Sequence, residues 1–249
     1  MESHATGRGS GHPTDAQLKE LFAQIESGRV NKGRLQEFLR GSSPVVAVEV
    51  AQDVMGKKNF FGPNEWAKFF GKKVQIATIP EIPWSQAELE NPGITQEHFL
   101  FLGQSLLDGK PLNLPTWHKV YSGESHPKFY WDWYLSHKFA QVSCGLRWYL
   151  MPVGIVEGSQ NLSYDRQVSL PCFLDEYEVP TTPARVTANV LYYLLNKKYL
   201  DTDYWARTSE KSDSGIRVYV RGNSDSGLGV SGWDDDADDR VGVSASRKS

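Results

Sequence analysis

The sequence predicts an α+β protein in which a short helical hairpin precedes a larger domain that ends in antiparallel strands. Three observations carry this. Apolar residues recur at helical spacing near the N terminus and again after Thr182. Residues alternate apolar and polar over 216–221 and 241–246. Gly, Pro, Asn and Asp punctuate the segments between. At 249 residues the chain is long enough to bury a substantial core, as one large domain or as a domain with an appendage.

Residues 1–13 are small, polar and aperiodic and are expected to lack order. Residues 14–41 read as the hairpin. Thr14 caps a first helix with a Leu18, Leu21, Phe22, Ile25 stripe that stops at Gly28; Asn31 caps a second carrying Leu35, Phe38 and Leu39, ended by Gly41. Residues 42–59 are a linker or a first element, and 45–58 fit strand or helix alike. The main domain is expected over 60–249. Gly62-Pro63-Asn64 opens a short helix bearing Trp66, Phe69 and Phe70 and closed by Gly71. Residues 80–92, broken by prolines, read as a surface crossing. Residues 99–107 read as a strand entering a turn at Asp108-Gly109, 117–135 as a helix, and 146–153 as a buried strand. The clearest helix runs from Pro183 to about Lys198, with Val186, Val190, Leu191, Leu194 and Leu195 on one face. Three strands follow, with Ile216, Val218 and Val220, then Leu228 and Val230, then Val241 and Val243 facing inward.

A net charge of −3 supplies no long-range positive field, so nucleic acid is a poor partner; the first hairpin offers a DNA groove only Lys32, Arg34 and Arg40. No apolar run approaches the length needed to span a bilayer, and the N terminus lacks the apolar core of a signal peptide. The expectation is a cytoplasmic protein, with export by another route left open. Cys144 and Cys172 are expected reduced and buried, one bridge between them remaining open.

The C-terminal loops are unlike the rest. Lys, Glu, Gln and Met make up about 18% of the chain, so about six are expected among residues 212–247; none occurs there. Arg221, Asn223, Ser224, Asp225 and Ser226 surround one turn; Trp233, Asp234, Asp235, Asp236, Asp238 and Asp239 fill another. Together they are expected to form the rim of a ligand site, with Trp233 as a flat anchor, the Asp run as acceptors and the Asn and Ser as adaptable hydrogen bonders. Turn chemistry alone also favours Gly, Ser and Asp.

Tyr204-Trp205-Ala206-Arg207-Thr208-Ser209-Glu210, the strand to Arg221 and the ending Val241-Gly242-Val243-Ser244-Ala245-Ser246-Arg247-Lys248 resemble a C-type lectin-like domain. More narrowly, the chain resembles the branch shared by formylglycine-generating enzymes, short bacterial paralogous repeats with a Tyr-Trp-Ser-Ser-Thr-Glu-like element and the variable proteins of diversity-generating retroelements, and is similar to bacterial proteins with a Val-Gly-Val-Ala-Ala-Ser-Arg-Lys-like end. Asp108 to Leu112 and Tyr177-Glu178-Val179-Pro180 are further points of similarity. The resemblance implies a non-enzymatic binder of a protein or glycan whose loops are rewritten by adenine-directed mutagenesis. A template of AAC-type codons yields Asn, Asp, Ser and Gly but never Lys, Glu, Gln or Met. The oxidase chemistry of the enzymes in that branch needs cysteines, and residues 175–249 contain none.

No cofactor is expected. Asp234, Asp236 and Asp238 have the opening spacing of a calcium loop, but its Gly and its final Glu are replaced by Asp239 and Ala245. His98, His118, His126 and His137 lack zinc-ligand spacing. Ser122-Gly123-Glu124-Ser125 is no nucleophile elbow. The rival reading is a cytoplasmic structural or regulatory protein acting through its N-terminal hairpin.

Overall fold

The computed structural model describes residues 15–28 and 46–249. The second helix of the expected hairpin and the 42–44 linker lie outside the described residues. The chain divides into two units, Met1–Pro44 and Val45–Ser249. In the first, helix α1 (Asp15–Glu26) is amphipathic, and Leu18 and Phe22 of its stripe are exposed.

The second unit is mixed α+β. Its first helix, α2 (Val48–Met55), resolves the ambiguous stretch by burying Ala51 and Met55, so it is an element of the core. Strand β1 (Phe60–Phe61) leads into α3 (Pro63–Phe70), whose N terminus is held by Glu65 Oε2 accepting from Gly62 N at 2.8 Å. The proline-rich crossing is more than surface: Ile82 and Trp84 are buried, and helix α4 (Gln86–Leu89) starts on a Ser85–Glu88 capping box. Helix α5 (Pro92–Glu97) feeds β2 (His98–Leu102). The expected strand to Leu107 breaks at Gly103, where an added Cβ would lie 2.5 Å from the Gly145 carbonyl oxygen; β3 (Leu106–Leu107) and β4 (Lys110–Pro111) then flank the Asp108-Gly109 turn.

Helix α6 (Leu114–Val120) begins earlier than expected, on an Asn113 cap, and stops at Tyr121. The predicted helix to Leu135 does not exist. Residues 129–134 are nearly all aromatic, with no polar face for an α-helix to present; Phe129 and Tyr130 run along the edge of the C-terminal sheet, and a 3-10 helix follows over Trp133–Ser136. Strand β5 (Trp148–Pro152) pairs antiparallel with β2, and β1 lies parallel on its other side. Short helices α7 (Tyr164–Val168) and α8 (Pro171–Asp175) precede β6 (Tyr177–Glu178).

Helix α9 (Thr182–Asn196) starts on Thr181, whose hydroxyl accepts from Ala184 N, one residue before the expected start. It is buried on every side through Tyr192, polar positions included, so it is the central helix of the unit. The last sheet contains β7 (Trp205–Lys211), β8 (Arg217–Asn223), β9 (Gly227–Trp233) and β10 (Val241–Val243) in the order β10-β7-β8-β9. Strands β8 and β9 pair antiparallel as expected; β7, not expected as a strand, pairs antiparallel with β8, and β10 joins β7 in parallel instead of continuing the antiparallel set. Strand β11 (Ser246–Arg247) leaves the sheet to pair with β6.

One face of the meander buries Val218, Val220, Leu228 and Val230 against α9 and the core. The other face is covered too: Arg207, Arg217 and Tyr219 are buried, although Ile216, expected inside, is exposed. Backbone approach is tight where β8 ends, because a Cβ on Gly222 would stand 2.0 Å from that of Tyr199.

Candidate functional site

The eleven residues nominated from sequence do not form one rim. In the β8–β9 register Asn223 faces Gly227 at the closed end of the hairpin, and Arg217 faces Trp233 at the open end. Six residue steps of strand separate the ends by about 20 Å. Arg221, Asn223, Ser224, Asp225 and Ser226 cluster at one end, and Trp233 with Asp234, Asp235, Asp236, Asp238 and Asp239 at the other.

At the open end the acidic loop is tied down. The buried Arg207 guanidinium donates to Leu162 O and Gln167 Oε1, each at 3.1 Å, and to the backbone oxygens of Asp234 and Asp236. Asp235 pairs with Lys211 at 2.8 Å and with Arg217 at 3.0 Å, and Arg217 lies 3.6 Å from the centroid of the Tyr164 ring. Partial burial pushes the Asp235 carboxyl up, but hydrogen bonds and charge from Lys211 and Arg217 outweigh it and hold it below the usual range. Asp238 is drawn down to about 2 by its hydrogen bonds with Arg240. Asp234, Asp236 and Asp239 are exposed, and Trp233 is 46% exposed. No three His, Cys, Asp or Glu among the described residues converge as metal ligands, so the calcium-like spacing of Asp234, Asp236 and Asp238 has no matching geometry.

At the closed end lies a cleft of about 90 Å³ lined by Tyr130, Trp131, Trp205, Arg221, Asn223, Ser226, Gly227 and Gly229. Trp205 of β7 projects across β8 to Gly229, where a Cβ would come within 3.1 Å of its ring, so glycine gives the indole its place. Trp131 stacks parallel to Trp205 at 6.0 Å, and Tyr130 packs on Trp131 at 4.7 Å. Trp131 is held from both sides. Tyr130 N donates to Leu228 O at 3.0 Å, and Trp133 Nε1 donates to Val230 O at 2.7 Å, clipping the 128–133 segment to β9.

Arg221 lies 5.9 Å from the Trp205 ring centroid, and its Nε donates to Thr202 O at 3.3 Å. Its two terminal nitrogens have no protein partner among the described residues. Asn223 Oδ1 accepts from Asp225 N at 2.8 Å and Ser226 N at 3.0 Å, which shapes the turn, and its amide nitrogen has no hydrogen-bond partner among the described residues. The arrangement presents aromatic faces beside uncommitted donors. It suits a ligand with a flat apolar face and an acceptor group.

Sequence reasoning found Arg221, Asn223 and Ser226 but missed Tyr130, Trp131 and Trp205 as lining residues. The available signal was the run Tyr130-Trp131-Asp132-Trp133-Tyr134, too uniformly aromatic for a surface helix. Cys144 is buried and Cys172 half-buried; both are free, and burial raises both thiols. Among the described residues no helix is long and apolar enough to cross a membrane. Comparison of the chain with family models, with curated proteins and with solved structures finds no match.

Proposed function

We propose that this protein is a non-enzymatic ligand-binding module on a C-type lectin-like frame, with a protein or glycan ligand held at the closed end of the β8–β9 hairpin. The observation that carries the reading is the meeting of three aromatic side chains, Tyr130, Trp131 and Trp205, with the uncommitted terminal nitrogens of Arg221 in one cleft. Such rings anchored to a rigid sheet supply contact area at low entropic cost. The missing Lys, Glu, Gln and Met over 212–247 support diversification of the surrounding loops by a retroelement. Packing fixes Gly222, Gly227 and Gly242, so the side chains free to vary are exposed ones that AAC-type codons yield, such as Ser224, Asp225 and Asp236. A reverse transcriptase and an adenine-substituted template copy beside the gene are the expected finding at the locus; neither being present refutes diversification.

A glycan and protein array screen of the purified protein identifies the ligand. Trp131→Ala and Arg221→Ala are each expected to weaken binding to the array hit by roughly tenfold or more, with melting shifted by only a few degrees. Trp233→Ala is expected to leave binding unchanged. Loss with Trp233→Ala but not with Trp131→Ala moves the site to the acidic loop. The exposed Leu18 and Phe22 on α1 favour the second reading, a contact through the N-terminal helices; loss of binding on deleting residues 1–43 supports it.

A further inference from the structure

A second, larger cavity of about 560 Å³ shares no lining residue with the aromatic cleft. It is walled by Pro152, Val153, Ile155, Val156 and Ala245, and its volume lies in the range of small-molecule sites. His98, only 6% exposed, donates from Nδ1 to Gly93 O at 3.0 Å, which leaves Nε2 to accept from the Tyr177 hydroxyl at 2.8 Å. Burial lowers His98 to about 4, so the ring is neutral near pH 7. Tyr177 has thus spent its only donor on His98, and its oxygen is already engaged by the Arg247 guanidinium.

The two charged side chains lining the cavity are Glu97 and Glu157, both exposed and neither in an ion pair among the described residues. The nearby Arg247, which lies 6.0 Å from the Tyr177 ring centroid, is engaged by Glu88 at 3.4 Å and Glu176 at 3.5 Å. With Arg247 balanced by those two carboxylates, the negative charge of Glu97 and Glu157 beside apolar walls selects a donor that is positive.

We propose that this cavity binds an organic ammonium compound, its apolar body against Val153, Ile155, Val156 and Ala245 and its N–H groups toward Glu97 and Glu157. The site stands apart from the aromatic cleft and does not depend on it.

Cys172 lines the same cavity and is the half-buried thiol, whereas Cys144 is sealed in the core, so alkylation of Cys172 reports occupancy. The test uses the full chain with 4-phenylbutylamine, 4-phenylbutanol and 4-phenylbutanoate as cationic, neutral and anionic probes of similar shape. Calorimetry is expected to show the amine binding roughly tenfold or more tightly than the other two. Saturating amine is expected to slow maleimide labelling of Cys172 by about the same factor. The double variant Glu97→Gln/Glu157→Gln is expected to erase the preference while melting like the parent, since both side chains are exposed and unpaired. Equal affinity for amine and alcohol, a preference that survives the double variant, or Cys172 labelling unchanged under saturating amine each overturns the proposal.

Discussion

Asp201→Ala is expected to cost about 3–5 kcal/mol of stability, seen as a drop of roughly 10 °C in melting temperature. Asp201 and Arg185 are fully buried and joined by two hydrogen bonds, with Nε donating to Oδ2 at 2.9 Å and Nη2 to Oδ1. Asn189 completes the set: its amide nitrogen donates to Asp201 Oδ2 at 2.8 Å, and its oxygen accepts from Leu200 N and Asp201 N. Arg185 also donates to the carbonyls of Pro152 and Gly154, so one side chain of α9 ties the exit of β5 to the approach to β7. Removing the carboxylate leaves a guanidinium in the core with only neutral acceptors, and the penalty for that unpaired charge dominates the loss. Arg185→Met/Asp201→Leu removes both charges and is expected to lose less than Asp201→Ala alone. Chemical denaturation of the three proteins checks the order; a double variant no more stable than the single one contradicts this account. The same network reaches the aromatic cleft, because Gly222 N donates to Asp201 O at 2.6 Å and so sets the end of β8 that carries Arg221 and Asn223.

Acid is expected to weaken the fold through His98. Its folded value is about 4 against an ordinary 6.5, burial being the main cause and the charges of Arg247 and Arg185 adding to it. Between those values the unfolded chain holds the proton and the folded chain does not, so stability falls as pH falls through this window. The contribution is complete above about pH 6.5 and gone below about pH 4, for a total of about 3 kcal/mol. Urea unfolding at pH 7 and pH 4.5 checks it. His98→Gln, which cannot titrate, is expected to lose less stability between the two pH values than the parent; an equal loss in both proteins assigns the acid sensitivity elsewhere.

Elements marked by local chemistry were legible in the sequence. Gly62-Pro63 and Gly71 bracket α3, Pro183 marks the first turn of α9, and Asp108 and Gly109 both take positive φ at their turn. Strands β8 and β9 followed from alternation, yet alternation misjudged the second face of the sheet. Arg217 and Tyr219 read as solvent-facing, and both are buried. Distant chain covers that face: residues 162–167 and the acidic loop gather on the Arg207 guanidinium. Periodicity reports which residues share a face, not what later folds over it. The site was half legible for the same reason. A hairpin of seven-residue strands puts the two loops at opposite ends, a consequence of strand length and register. The aromatic wall comes from residues 130–131, remote in sequence from the loops they meet.

The way residues 128–133 clip onto β9 has a bearing on how the protein behaves at high concentration. An uncovered outer strand offers its amides to any other extended chain and invites sheet-to-sheet association. Here Lys128 O takes the Leu228 amide, Tyr130 N meets the Leu228 carbonyl and the Trp133 indole takes that of Val230. The segment that lines the cleft with Tyr130 and Trp131 is therefore also the guard against self-assembly. Trp133→Ala, which removes the one side-chain bond of this clip, is expected to weaken the guard, whereas changes at Ser224 or Asp225 leave it in place.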